Sequence, residues 1–384
     1  MALLFVGVMI GGHYANIYSN AVNAYFRLSQ HKVVQQGDTT GKDLTYFKSD
    51  FVDEDGNYDT EALWEYNISL TQSIAEEGAV LMWNNDGALP LGRDLNLSLF
   101  GYRSVNYYYT MGGSAEVKAQ GLPTLRTALE SEDYSVNKKL WNFYQTNSSS
   151  DPSQDRCKWI NEIAWNRVNS ACSSSFAEYG DAAIMVLGRA GQEHIDLATS
   201  GSDGIDGSYL DLSQAELDTI KALVKLKQDG VVAKVILLIN SDHAVSFKRL
   251  AEFTSTIDAC LWVGSGGRSA CPAVVNLLCG KANPSGRLVD TWLYDNFSVP
   301  STKNFGDYAY TNARDYDLDF GNNNDKYIVY QEGLYVGYRY TETRYEDSVL
   351  KRGNANGSAG AVESDDGWDY NQEIAYPFGY GTSY

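Results

Sequence analysis

Ala182-Ala183-Ile184-Met185-Val186-Leu187, followed by Gly188-Arg189-Ala190-Gly191-Gln192-Glu193-His194-Ile195-Asp196, decides the fold of this chain. The first run is apolar without alternation, so it reads as a strand buried on both faces, the kind found in parallel sheets. The second run is polar and glycine-bearing, so the strand opens into a loop. The carboxyl end of a parallel strand is where α/β sheets place their chemistry. Glu193 stands in that position, with Arg189, His194 and Asp196 beside it. Most loop glutamates are merely solvated, and position alone does not separate the two readings.

Working outward, Val231–Ile239 and Ala259–Val263 are two more continuous apolar runs. Between the first and second strands, Ser213 and Glu216 have the spacing of a capping box. Leu217, Ile220 and Val224 then share one helical face, and Gly230 is a stop. Pro272–Leu278 reads as a helix with proline in its first turn and Gly280 after its end. Upstream, a helix is expected from Thr60, with Leu63, Asn67, Leu70 and Ile74 at helical spacing up to Gly78. Val80–Trp83 and Leu95–Phe100 read as strands, and Pro123–Leu129 opens another helix. Strands separated by helices predict an α/β fold, a three-layer α/β sandwich with a mainly parallel sheet. Two regions are expected: residues 1–57 as an anchor-and-tether segment, and 58–384 as the sandwich, with polar insertions near 141–175 and 346–372.

The chain has 384 residues, 43% of them hydrophobic, enough for a sizeable core. Thirty basic against 49 acidic residues give a net charge of −19, which a nucleic-acid backbone would repel. Its 28 tyrosines suit stacking on sugars and equally suit a Tyr-rich core. The five cysteines contain no CxxC pair, which argues against a structural zinc site. Cys260, Cys271 and Cys279 read as core residues, while a Cys157–Cys172 disulfide stays open. Met1–Ile10 is apolar but shorter than the ~20 residues a spanning helix needs; a clipped membrane anchor and a buried strand both fit it.

Several constellations fall short of a complete site. Gly264-Ser265-Gly266-Gly267 lacks the glycine two residues before the serine that a nucleophile elbow requires, and no histidine follows His243 to complete a triad. Gly264–Ser269 has the composition of a phosphate loop but lacks the third spaced glycine; a tight turn explains it equally. Asp315, Asp317 and Asp319 alternate like calcium ligands, yet Lys326 stands where a bidentate glutamate belongs. His13, His31, His194 and His243 form no metal pair. No metal or organic cofactor is expected.

Glycoside hydrolysis needs a protonated carboxyl for the leaving oxygen and a second carboxylate across the sugar. Glu193 fits the first of these. Several runs together resemble glycoside hydrolase family 3: Glu76–Leu91, Gly188–Asp196, Val235–Ser241, Gly280–Leu288, Tyr330–Tyr340 and Tyr376–Tyr384. The resemblance implies the family's second catalytic domain, with Glu193 as acid/base of a retaining, β-glucosidase-like enzyme. It implies a β-linked oligosaccharide or glucoside substrate and a nucleophilic aspartate on a TIM barrel. No series of eight strand–helix units and no Ser-Asp-Trp run is found here. The resemblance further implies a member with reversed domain order. A membrane anchor and tether come first, then the sandwich, a fibronectin-like module and the barrel, at the cell surface or outside the cell; the alternative location is the cytoplasm. Gln192 and His194 replace glycines common beside the family's glutamate, and Leu197 replaces an arginine. Arg189, His194 and Asp196 are therefore candidate substrate-orienting groups only. A non-catalytic carbohydrate-binding or scaffold domain is the alternative.

Overall fold

The computed structural model describes residues 2–19, 49–53, 57–110, 113–147, 157–193, 195–303, 305, 309–312, 327, 329–330, 332–360 and 367–384. The chain divides into two compact units, Met1–Leu63 and Trp64–Tyr384. In the first, Ala2–Ile17 forms a helix of 16 residues, not a buried strand, and Val8, Met9 and Ile10 are exposed on it. Among the described residues no helix is long and apolar enough to cross a membrane, so the expected anchor finds no support.

The second unit is built on one sheet of six strands: β1 (Val80–Asn84), β2 (Asn96–Phe100), β3 (Ser135–Val136), β4 (Ala182–Arg189), β5 (Val235–Ser241) and β6 (Ala259–Trp262). Their order across the sheet is β1-β6-β5-β4-β2-β3. All neighbours are parallel except β1, which runs antiparallel to β6 at the edge. The run that decided the fold is β4, at the centre, buried at all eight positions. Ala183, Met185 and Leu187 face one core, and Ala182, Ile184 and Val186 face the other. This is the alternation of side chains about a pleated strand. It explains why the sequence is apolar at every position: each face has its own helical cover.

One face is covered by the helices Lys138–Asn147, Trp165–Cys172 and Gln214–Gln228, and the other by Leu125–Glu130 and Ala270–Leu278. The three-layer sandwich is thus present. Residues 141–175, read as a polar insertion, supply Trp141, Tyr144, Val168 and Cys172 to the buried layers. Cys157 and Cys172 are both buried. The expected capping box forms: the Ser213 hydroxyl accepts from the Glu216 N–H at 3.2 Å and Glu216 accepts from the Ser213 N–H at 2.9 Å. A second antiparallel pair, β7 (Trp292–Leu293) with β8 (Ile374–Tyr376), gathers the irregular carboxyl-terminal third. The closing run then returns to β1, where the Thr382 N–H donates to Leu81 O at 3.0 Å and the Tyr380 hydroxyl to Met82 O at 2.8 Å.

Candidate active site

The order of the strands fixes where a ligand belongs. From β2 the chain moves outward to β3; from β4 it moves the opposite way, through β5 to β6. β2 and β4 are adjacent and parallel, so their carboxyl ends flank the topological switch point, where open α/β sheets form their binding crevice. The loop leaving β4 carries Glu193. The loop leaving β2 carries Ser114.

The β4 loop is pinned at its base by Arg189. Its guanidinium is buried and forms two 2.9 Å bonds to the Glu216 carboxylate. Its other donors reach Gly188 O at 2.8 Å, Tyr209 O at 2.6 Å and Asp211 O at 2.6 Å. All five N–H groups of a guanidinium are thereby spent. The Tyr209 hydroxyl accepts from the Ala190 N–H at 2.8 Å, so both ends of the loop are stitched to the same side chains. Gly188 is required for space, since a Cβ there would lie 2.6 Å from Cγ of Arg103. The substrate-orienting role expected for Arg189 is therefore corrected: the residue holds the loop and has no donor left for a sugar.

At the tip, the Ile195 N–H donates to Gln192 O at 3.2 Å, a tight turn that places Glu193 at its corner. Glu193 is exposed, and its Oε2 accepts from the Ser114 hydroxyl at 2.6 Å and from the Ser114 N–H at 3.4 Å. These bonds favour the charged form and hold the carboxyl below the usual glutamate range. Asp196 is exposed just beyond the turn. His194 lies outside the described residues.

The β2 loop is itself fixed from below. Asn240, at the end of β5, accepts from the Tyr108 N–H at 2.8 Å and donates to Tyr108 O at 2.9 Å. The Arg103 guanidinium stacks on the Tyr108 ring at 3.9 Å. Beneath the same loop, Glu162 accepts from the N–H groups of Tyr102 at 2.7 Å and Ile163 at 2.9 Å. Burial of its carboxyl dominates and pushes its pKa up to about 8, against the lowering effect of the Tyr102 N–H. His243 is pushed down by burial.

The glycine run after β6 is a turn. The Gly267 N–H donates to Tyr109 O at 2.7 Å and the Ser265 N–H to Asp242 Oδ1 at 3.1 Å. These donors are thus already engaged, and a carboxylate sits where a phosphate would need to be. The calcium-like Asp315, Asp317 and Asp319 lie outside the described residues.

Residues 79–338 match the glycosyl hydrolase family 3 C-terminal domain. The chain belongs to this family. Similar proteins include a β-glucosidase from Ruminococcus albus, 27% identical over 326 residues, covering 84% of this chain and 28% of the relative. β-Glucosidase A from Butyrivibrio fibrisolvens is 28% identical over 339 residues, covering 83% and 35% respectively. In fold the chain is similar to β-glucosidase 3B from Thermotoga neapolitana, solved with α-D-glucose. The TM-score is 0.59 at 22% identity, over 83% of this chain and 38% of that one. The chain thus spans about a third of the length of these relatives.

Around the switch point, the loops that hold Glu193 are fixed by residues the sequence did not single out. Ser114 was visible only as the end of the flexible run Gly112-Gly113-Ser114, and its partner lies 79 positions away. Asn240 gave no signal beyond lying at the end of an apolar run, and Glu162, in the connection before the helix Trp165–Cys172, gave none. Of the four residues singled out, Glu193 and Asp196 are exposed beyond the end of β4, and Arg189 is buried beneath them.

Proposed function

We propose that this chain is the acid/base-bearing domain of a retaining β-glycosidase of β-glucosidase type, with Glu193 as the group that moves the proton. The supporting observation is Glu193 on the switch-point turn, held by Ser114. In the first step Glu193 gives its proton to the glycosidic oxygen. The anomeric C–O bond breaks, its electron pair leaves with the alcohol, and a barrel aspartate bonds to the anomeric carbon. In the second step the Glu193 carboxylate takes a proton from water as that water attacks the same carbon and the aspartate departs. The barrel, and a fibronectin-like module beside it, belong to the same polypeptide on this reading.

An exposed carboxyl held in its charged form is a poor acid at neutral pH. Closure of the crevice by the barrel and the sugar would desolvate it and raise its pKa toward a working value. Two tests follow from that. In a polypeptide joining this domain to its barrel, Glu193→Gln should slow hydrolysis by about 10²–10⁴, the scale of a lost general acid–base group. The loss should be smallest for aryl glucosides with good leaving groups, which need little protonation. Equal turnover of cellobiose by mutant and wild type would remove Glu193 from the mechanism. The chain alone should show no glycosidase activity, because one carboxylate cannot both attack and protonate. Sugar binding with no activity in the joined polypeptide would favour the carbohydrate-binding alternative.

A further inference from the structure

We propose that the cavity beyond the carboxyl ends of β5 and β6 is a second carbohydrate site, one that takes a single neutral sugar ring and is separate from the turn carrying Glu193. It does not depend on the role of Glu193, because neither Glu193 nor Ser114 is among the residues that line this cavity.

The cavity measures about 420 Å³, within the range of about 300–1,000 Å³ typical of small-molecule sites. Distant parts of the chain meet there. Asp242 and His243 directly follow β5, Trp262 ends β6, and Trp292 opens β7. Tyr340 comes from the first turn of the helix Tyr338–Val349. The Trp262 indole N–H donates to Ser241 O, and its ring stands edge-on to Trp292 at 5.7 Å. The two rings are fixed by these contacts, so an apolar wall exists before any ligand arrives.

The polar part of the lining is rich in acceptors. Asp242, Asp290 and Glu332 all line the cavity, and no Lys or Arg is among its described lining residues, so an anion is repelled. Two of the three carboxyls already hold a backbone donor. Asp242 accepts from the Ser265 N–H at 3.1 Å and Asp290 from the Thr291 N–H at 2.8 Å. Glu332 Oε1 and His243 Nε2 are buried without a hydrogen-bond partner among the described residues. Buried polar atoms are normally paired, so each is a point where a ligand group would be held. The His243 main chain is fixed: the Ser241 hydroxyl accepts from its N–H at 3.0 Å and donates to its O at 2.8 Å.

These features select the ligand class. Burial pushes the His243 imidazole down, toward the neutral form in which one ring nitrogen donates and the other accepts. The Thr341 hydroxyl donates to Tyr338 O at 3.0 Å and lies 3.3 Å from the Thr291 hydroxyl. Thr291 is then the donor of that pair, and its lone pairs are left to accept. A hydroxyl both donates and accepts, so it serves a carboxyl oxygen, a neutral imidazole and a threonine alike. A sugar ring carries several hydroxyls on an apolar carbon frame, which suits an aromatic wall set among acceptors. With two carboxyls already engaged by backbone N–H groups, the lining offers separate acceptors rather than one concentrated charge for a cation.

The test is a ligand-observed NMR titration of this chain with methyl β-D-glucopyranoside. Saturable binding with a Kd on the order of 1 mM is expected for a ligand of that size. Glu332→Ala should weaken it about 3- to 10-fold, the scale of one lost hydrogen bond. Ser301→Trp, which sets a bulky ring on the cavity wall, should abolish it. Urea midpoints show whether each variant is folded; if Ser301→Trp is not, Glu332→Ala decides. Glu193→Gln should leave the Kd unchanged, and loss of binding there would put the sugar at the switch point and overturn the second site. Glucuronate should not compete. Glucosamine binding more than about 10-fold tighter than glucose in mildly acidic buffer would make this a cation site and overturn the neutral class. No binding, or an unchanged Kd in Glu332→Ala, overturns the proposal. None of these outcomes bears on Glu193 as acid/base, which is read from hydrolysis by the joined polypeptide.

Discussion

Arg189, the last residue of β4, and Glu193, in the loop it opens into, are four residues apart and live in opposite physical worlds. Arg189 is buried with every donor spent on Glu216 and on backbone carbonyls. Glu193 is exposed and meets a serine from another loop. The base of the loop is built for stability and the tip for chemistry. The difference teaches that charge beside a catalytic candidate is not itself a sign of substrate contact. What decides is whether the donors are already used.

The sharpest way to break this comparison is at the base. Arg189→Met leaves the Glu216 carboxylate buried without its partner. Losing one half of a buried ion pair costs about 3–5 kcal/mol, and that is the destabilisation expected in urea unfolding. Arg189→Met combined with Glu216→Gln should lose clearly less, because no uncompensated charge remains. Glu193→Gln should leave unfolding within about 0.5 kcal/mol of wild type, as surface changes do. If Arg189→Met unfolded at the wild-type urea midpoint, the loop base would not be the structural element described here.

These two residues also mark how far the sequence could be read. The central strands were legible because burial on both faces demands an unbroken apolar run, Ala182–Leu187 in β4 and 235–239 in β5. The direction of β1 was not, because an apolar run carries no sign of parallel or antiparallel pairing. β3 has only two residues, too few for any periodicity to register. Val231 and Val232 looked like the start of β5, but their N–H groups close onto Leu226 O at the end of the preceding helix. The capping box of Ser213 and Glu216 was visible from local spacing. That the same glutamate also pairs with Arg189, 27 residues earlier, was not. Glu193 could be found because it follows a strand, whereas Ser114 is brought to it only by the folding of two separate loops.

A smaller effect separates the floor of the crevice from its rim. Glu162 lies under the β2 loop with a pKa pushed up to about 8 by burial, whereas Glu193 at the rim is held low by Ser114. In the unfolded chain Glu162 ionises near pH ~4.3. Between that pH and about 8 the folded state keeps a proton the unfolded state has lost. Stability therefore falls as pH rises through this window, by up to roughly 1.4 kcal/mol per pH unit. Urea unfolding of wild type and Glu162→Gln from pH 5 to 8 measures it: the wild-type curve should decline relative to the variant. Parallel curves would mean that the floor carboxyl ionises like any other.

The smallest expected effect isolates the cap from the ion pair it shares. Ser213→Ala removes the hydroxyl that accepts from the Glu216 N–H but leaves both Arg189–Glu216 bonds in place. A lost serine N-cap costs about 1 kcal/mol, and Ser213→Thr should recover most of it. The cap belongs to the base of the loop, so its loss should leave the titration midpoint of Glu193, followed by carboxyl ¹³C NMR, where it was. A midpoint that followed the cap would mean that strain at the base reaches the tip. Base and tip would then be one mechanical unit, and the ionisation of Glu193 would depend on the helix behind it as much as on Ser114 in front.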